Sequence, residues 1–242
     1  MSVFNFFSKK TNNKTVSLLA DIHSHLLPSL DDGVKDFSEA LNVIRHFSDL
    51  GYQKLVTTPH IMSDTYRNDA ATIRGRLSEL ISFLSENEMD IKVEAAAEYY
   101  FDAWLMNEVN ENRPLLTFGN NYLLFEMNYM TEPYQLNDFI FKVTTNGYKP
   151  VLAHPERYQF MTIEKAEDLH HRGVLLQVNI LSFIDYYSKP VRQLANHLVD
   201  RRWVNFLGSD CHNLRHAGLL KEALKNKYVK KAMDLPLLNN HL

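Results

Sequence analysis

The sequence predicts an α/β protein, a closed or nearly closed barrel of seven βα units in one domain. Three observations carry this. Short apolar runs alternate with longer stretches of helical periodicity, which is the order of parallel βα units. The 242 residues sit close to the roughly 250 typical of an α/β barrel. Histidines and acids fall at the C-terminal ends of six of the strand candidates, the face on which barrel active sites lie.

Taken in order, the first strand spans residues 16–22, and a helix over 37–50 stops at Gly51. The second strand, 55–58, ends at Pro59 and precedes a helix at 70–85 with Ile73, Leu77, Leu80, Ile81 and Leu84 as its apolar positions. The third strand is 91–97, and the fourth is 122–127 with a helix at 134–146. The fifth, 150–153, leads to a helix at 163–172, and the sixth, 174–178, to a helix at 190–201. The seventh is 204–207, followed by a last helix at 219–233. Residues 102–119 break the rhythm and are read as a segment that covers the site. Residues 1–17 carry Phe4, Phe6 and Phe7, then Lys9, Lys10 and Lys14. They read as a flexible tail ahead of a domain at 18–242, or alternatively as a docking segment for a partner or an anionic membrane surface.

Composition narrows the function classes. An apolar fraction of 45% is enough for a real core. The net charge of -3, with both signs spread along the chain, argues against non-specific nucleic-acid binding, which needs a basic face. Cys211 is the single cysteine, so no intrachain disulfide is possible, in keeping with a reducing cytoplasm. No apolar run approaches the ~20 residues of a membrane span, and the N-terminus lacks a secretory signal.

The chemistry lies at the strand ends. Asp21-Ile22-His23-Ser24-His25 closes the first strand, and residues two apart on a strand point the same way, so His23 and His25 can face one metal ion. Asp31 and Asp32 follow in the next loop. His60 ends the second strand, Glu98 the third, Glu126 the fourth and His154 the fifth, while Asp210 and His212 end the seventh. One such histidine alone is more often structural. Buried imidazoles and carboxylates are costly unless paired or ligated, so an array this dense calls for cations. Nitrogen and oxygen donors without thiolate suit Zn, Mn, Fe or Mg. His46 and His197 fall inside helices, His170 and His171 near a helix C-terminus, and His241 near the end, so all five read as structural or surface residues. Arg157 and Arg215 each follow a candidate ligand by three residues. A guanidinium grips phosphate through a two-point fork, so both are candidates for a phosphate-bearing substrate, unless each pairs with a nearby acid such as Glu156. A cysteine-dependent phosphatase needs an arginine six positions after its thiolate; Ala217 stands there, and Cys211 reads as facing the core.

These motifs, with Leu30-Asp31-Asp32-Gly33 and His154-Pro155-Glu156-Arg157-Tyr158 the most telling, resemble the PHP (polymerase and histidinol phosphatase) superfamily. They look most like its bacterial protein-tyrosine phosphatase branch, found with capsule and exopolysaccharide operons. The resemblance implies a distorted TIM-like barrel of seven βα units holding two or three divalent metal ions, manganese first, with iron, zinc, cobalt or magnesium as alternatives. It implies one metal on His23, His25, Glu98 and Asp210, a second on Glu98, Glu126 and His154, and a third on Asp32, His60 and His212. Arg157 matches the family's phosphate-binding arginine, and Arg215 matches another approximately. The reaction implied is in-line attack on phosphotyrosine by a metal-activated hydroxide, with His60 or Asp32 supplying a proton through a water. The substrate implied is a phosphotyrosine protein, the tail of a bacterial tyrosine kinase that governs polysaccharide export. Tyr99, Tyr100, Tyr129, Tyr134 and Tyr158 are rim candidates for the phenol ring. The runner-up is a histidinol-phosphate or other small-molecule phosphatase on the same metal site. A non-catalytic binding module would require missing ligands, and none is missing. Nucleic-acid proofreading, known in the superfamily, conflicts with the acidic balance. The physiological metal and the oligomeric state stay open.

Overall fold

The computed structural model describes residues 18–242; the tail at 1–17, and with it the first two residues of the first strand candidate, lie outside the described residues. The chain alternates strands and helices: β1 (Ala20–Asp21), α1 (Phe37–Asp49), β2 (Lys54–Thr57), β3 (His60–Ile61), α2 (Ala70–Glu86), β4 (Lys92–Ala95), β5 (Glu98–Tyr100) and α3 (Ala103–Asn110). It continues with β6 (Tyr122–Glu126), α4 (Leu136–Thr145), β7 (Lys149–Ala153), α5 (Ile163–His171), β8 (Leu175–Asn179), α6 (Lys189–Asp200), β9 (Val204–Gly208), α7 (Leu214–Ala223) and α8 (Lys227–Met233). Local chemistry starts the helices. Asp36, Asp69 and Asp102 cap α1, α2 and α3 by accepting the N–H of Glu39, Thr72 and Leu105 at 2.7–2.8 Å. On α1 the buried Ala40, Leu41, Val43, Ile44 and Phe47 form one stripe against the strands. On α2 only Ile73, Leu80 and Leu84 are buried, and Ile81 faces solvent rather than the core.

All strand pairs are parallel, in two sets, β1-β2-β4 and β3-β5-β6-β7-β8-β9. The second and third strand candidates are each split, so His60 and Glu98 open a new strand instead of ending the old one. The break between β2 and β3 falls at Pro59, which has no N–H to give the ladder. Main-chain bonds carry the pairing across the kink, Ala96 N to Thr57 O at 2.9 Å and Glu98 N to Pro59 O at 3.1 Å. Counted as kinked single strands, β2/β3 and β4/β5 leave seven positions around the ring.

The gap between β9 and β1 is stitched rather than zipped. At the site end, Asp210 N donates to His23 O (2.8 Å) and His25 N to Cys211 O (2.9 Å). In the middle, Ser209 donates to the Asp21 carboxylate through both its N–H (2.7 Å) and its hydroxyl (2.8 Å). At the far end, buried Asn239 accepts from Leu207 N (3.0 Å) and donates to Ala20 O (3.0 Å) and Leu207 O (2.8 Å). Ile22, Val56, Ala96, Leu124, Val151, Ala153 and Phe206, one or two from most strands, form a small core distinct from the larger one under the helices.

Two further expectations are corrected. Residues 102–119 do not cover the site. They form α3, tied to α4 by Asn146 Nδ2 donating to Val109 O (2.7 Å), and then run to Phe118 in the small core. They are the helical return between β5 and β6. The last helix is two, α7 and α8, separated where Asn226 caps α8 and donates to Phe183 O (2.8 Å). Among the described residues no helix is long and apolar enough to cross a membrane.

Candidate metal centre

The residues singled out at the strand ends converge. His23 and His25 lie just past β1, His60 and Glu98 open β3 and β5, and Glu126 ends β6. His154 and Asp210 follow β7 and β9 in the left-handed region, with φ of 35° and 50°. That conformation is uncommon outside glycine and costs about 1–3 kcal/mol, so it needs a surrounding structure that enforces it. Here it turns both side chains back over the mouth of the ring.

The imidazoles are oriented from behind. His23 Nδ1 lies 2.8 Å from Gln177 Oε1, His25 Nδ1 2.7 Å from Asp31 Oδ2, and His212 Nδ1 2.9 Å from the carbonyl oxygen of Asp210. Each of these oxygens can only accept, so each Nδ1 carries the proton and each Nε2 presents a lone pair. Those Nε2 atoms meet acceptors. His23 Nε2 is 3.0 Å from Glu98 Oε2 and 3.4 Å from His25 Nε2. His25 Nε2 is 3.6 Å from Asp210 Oδ1, and His212 Nε2 and His60 Nε2 are each 3.5 Å from Asp32 Oδ1. His154 Nε2 is 3.1 Å from Glu98 Oε1. His60 Nδ1 lies 3.2 Å from Glu98 Oε2 and 3.1 Å from Glu126 Oε1, yet bonds to neither.

The charges around the site agree with a demand for positive charge. Burial works against a charged His23, but Glu98 and Asp210 outweigh it and push its pKa up to about 9. Burial likewise opposes ionised Glu98 and Asp210. His23 and His60 nevertheless hold Glu98, and His23, His212 and Arg157 hold Asp210, well below the usual carboxylate range. Divalent cations answer that demand with the donors present. Four groups have ligand atoms within 4.8 Å of one another and could each hold an ion: His25, Asp32, His60 and His212; His23, His25 and Asp210; His23, Glu98 and His154; His60, Glu98 and Glu126. Glu98 stands at the centre, with its two oxygens facing different histidines, as a bridging carboxylate would. His60 reaches the Glu98–Glu126 pair as well as Asp32.

The cluster floors a cavity of about 740 Å³. Arg157 lines it, and its Nη1 donates to Asp210 Oδ2 at 2.8 Å. Glu156 is not its partner: that carboxyl is buried the other way, accepting from Asn179 N (2.9 Å) and the Ser182 hydroxyl (2.7 Å), and burial raises its pKa. Arg215 is exposed on α7 and lies outside the lining; His216, one residue on, lines the cavity instead. Of the rim tyrosines, Tyr100 and Tyr129 line it. Tyr99 and Tyr158 are buried behind it, their hydroxyls on backbone, and Tyr134 is fully exposed. Tyr66, Tyr186 and Tyr187 complete the aromatic wall. The sixth strand, the one without a metal-capable end, supplies Gln177 and Asn179. Two buried amides in an otherwise apolar strand were the available signal. Cys211 is buried in the large core and outside the cavity lining, and burial pushes its thiol far up. A thiol that stays protonated and out of reach is no nucleophile.

Residues 19–240 match the family model described as capsular polysaccharide synthesis, CpsB/CapC. CapC of Staphylococcus aureus is 25% identical over 216 residues, covering 88% of this chain and 85% of its own. The tyrosine-protein phosphatase YwqE of Bacillus subtilis is 26% identical over 200 residues, covering 81% of this chain and 78% of its own. A crystal structure from work on YwqE and on CpsB of Streptococcus pneumoniae, described there as metal-dependent tyrosine phosphatases, superposes with a TM-score of 0.78 at 25% identity, over 92% of this chain and 91% of the other. A histidinol phosphate phosphatase from Lactococcus lactis, bound to zinc, L-histidinol and phosphate, shares the fold, with a TM-score of 0.50 at 15% identity over 84% and 92% of the two chains.

Proposed function

The chain belongs to the CpsB/CapC family of capsular polysaccharide synthesis, and from that premise we propose that it is a metal-dependent protein-tyrosine phosphatase. The observation that carries the reading is the buried array of histidine and carboxylate donors with Arg157 at its edge, opening on a cavity walled by tyrosines. His23, His25, Asp32, His60, Glu98, Glu126, His154, Asp210 and His212 would hold the divalent ions, which when bound would supply Lewis acidity toward phosphate oxygens and lower the pKa of a water toward about 7.

The chain's own groups do the rest. Gln177 and Asp31 keep His23 and His25 in the tautomer that donates through Nε2. The Arg157 guanidinium neutralises phosphate oxygens as charge moves onto them. His60 and half-exposed Asp32 stand at the cavity wall, where whichever of them the metal ions leave free would pass a proton through a water to the leaving oxygen. A phenolate, with a pKa of about 10, leaves with little help. The substrate we assign is phosphotyrosine on a flexible segment of a cytoplasmic protein, the tail of a bacterial tyrosine kinase.

The test compares kcat/KM for a phosphotyrosine peptide, a phosphoserine peptide and histidinol phosphate. It uses protein stripped with chelator and reloaded with Mn, Fe, Zn, Co or Mg. The phosphotyrosine peptide should lead, the stripped protein should be inert, and Arg157→Ala should lose about 10²-fold or more in turnover with its metal content intact. A clear preference for histidinol phosphate defeats the tyrosine assignment, and activity that survives complete metal removal defeats the reaction class.

A further inference from the structure

We propose that Tyr129 and Tyr187 are positioning residues whose rings clamp the Arg157 guanidinium in its phosphate-binding orientation. The inference rests on the reading of Arg157 as the phosphate contact.

The guanidinium carbon of Arg157 lies 4.3 Å from the centre of the Tyr187 ring and 4.9 Å from that of Tyr129. Both are well inside the ~6 Å within which a cation is drawn to an aromatic face. The rings come from different parts of the fold, Tyr129 from the loop after β6 and Tyr187 from the segment between β8 and α6. Each also touches a carboxylate of the cluster. The Tyr187 hydroxyl donates to Asp210 Oδ2 at 3.2 Å, and the Tyr129 hydroxyl to Glu126 Oε2 at 3.5 Å. Asn179 Nδ2 completes the frame, donating to Asp210 Oδ2 (2.7 Å) and to the Tyr187 oxygen (3.1 Å).

Asp210 Oδ2 therefore gathers donors from Arg157, Tyr187 and Asn179, while Oδ1 is left to face His23 and His25 at 3.5 and 3.6 Å. The carboxylate is divided, one oxygen for the frame and one for the cluster. An arginine at a loop edge ordinarily keeps wide rotamer freedom and loses it on binding. Here the side chain is only 22% exposed and is held by two rings and an ion pair before any substrate arrives. Charge stabilisation by a group already in place needs no reorganisation during the reaction.

The experiment uses the metal-loaded full chain and inorganic phosphate as the probe. Affinity is read by calorimetry, alongside kcat and KM on a phosphotyrosine peptide, metal stoichiometry and Tm. Tyr187→Leu and Tyr129→Leu, made singly, should each weaken phosphate binding about tenfold and lower kcat, with metal stoichiometry unchanged. Tyr→Phe at either position keeps the ring and should hold affinity within about threefold of the parent, a rescue that a purely volumetric role would not distinguish from Tyr→Met. Tyr→Met, which fills the volume without an aromatic face, should behave like Leu and replaces it if the Leu variant does not fold. Leu and Met variants that bind phosphate as the parent does, while Arg157→Ala does not, overturn the clamp and leave the phosphatase reading standing. Phosphate affinity unchanged in Arg157→Ala overturns both.

Discussion

Gln177 binds no metal in the arrangement described, yet its loss should be felt as a loss of metal affinity. Its Oε1 accepts the proton of His23 Nδ1 at 2.8 Å and lies 3.3 Å from the N–H of His154, while its Nε2 donates to Asn179 Oδ1 at 2.9 Å. Gln177→Leu keeps the volume and removes all three contacts. His23 is then free to turn or to move its proton to Nε2, the nitrogen that faces Glu98. Outer partners of metal-bound histidines typically account for about 10–100-fold in affinity, or roughly 1.4–2.8 kcal/mol. Separately, the buried N–H groups of His23 and His154 and the Asn179 oxygen are left unpaired at about 1–3 kcal/mol each, so the metal-free protein should lose roughly 3–9 kcal/mol of stability. The assay is a competition titration of Mn or Zn against a chromophoric chelator, with thermal unfolding of the stripped protein beside it. Gln177→Glu, which preserves an acceptor at Oε1, should keep the metal affinity that Gln177→Leu loses. A Gln177→Leu protein that binds metal within about twofold of the parent would refute the idea that the orientation of His23 is set from behind.

Three other outcomes follow from the same geometry. A methyl group on Gly208 would sit 2.6 Å from Gln177 Nε2 and 2.8 Å from His23 Cβ, so Gly208→Ala should cost about 1–3 kcal/mol by overpacking and weaken metal binding in the same titration; neutrality in both would show that the strand yields. Cys211→Ala should leave turnover essentially intact, since the thiol is buried in the large core, outside the cavity lining, with its Sγ donating to the Asn213 carbonyl at 3.5 Å. A fall of several orders of magnitude in a folded, metal-loaded protein would restore the thiol as nucleophile. Asp21 is raised by burial from 3.8 to about 7, against the opposing bonds from Ser209. A raised carboxyl contributes stability that is full below about pH 3.8 and lost as pH climbs through about 7, at most about 4 kcal/mol. Asp21→Asn keeps an acceptor for the Ser209 N–H and removes the titrating group, so the unfolding free energy of parent minus variant, measured in chelator, should fall across that window; a flat difference would mean Asp21 is not held neutral.

The sequence disclosed the donors because each stands where an apolar run stops at an acid or an imidazole, a pattern that a packed core alone does not produce. It hid the way the strands run. Pro59 marked where β2 stops, but nothing marked that the chain resumes at once in the other sheet, and Ala96-Ala97 carries no breaking residue at all. It also hid the facing of Arg215. With Asn213 as cap, α7 begins at Leu214, and the helical period turns Ala217 and Leu220 inward and Arg215 outward. A helix started at 219 leaves Arg215 in a loop, free to point anywhere. Tyr186 and Tyr187 carry no charge and follow no metal-ligand spacing, so only their place in the cavity wall identifies them; Gln177 and Asn179 are told only by being amides in an otherwise apolar strand.

The stitched gap between β9 and β1 has a temporal meaning. The bonds that span it join residues 188 and 219 positions apart, so the ring cannot be joined until almost the whole described chain has left the ribosome. Glu98, Glu126 and His154 sit on neighbouring parallel strands and can come together early. His23 and His25 meet Asp210 and His212 only across the gap. Contacts this distant in sequence form slowly and after local ones. A nascent chain thus carries only part of the metal cradle, and the complete set of donors exists only once the ring has been joined.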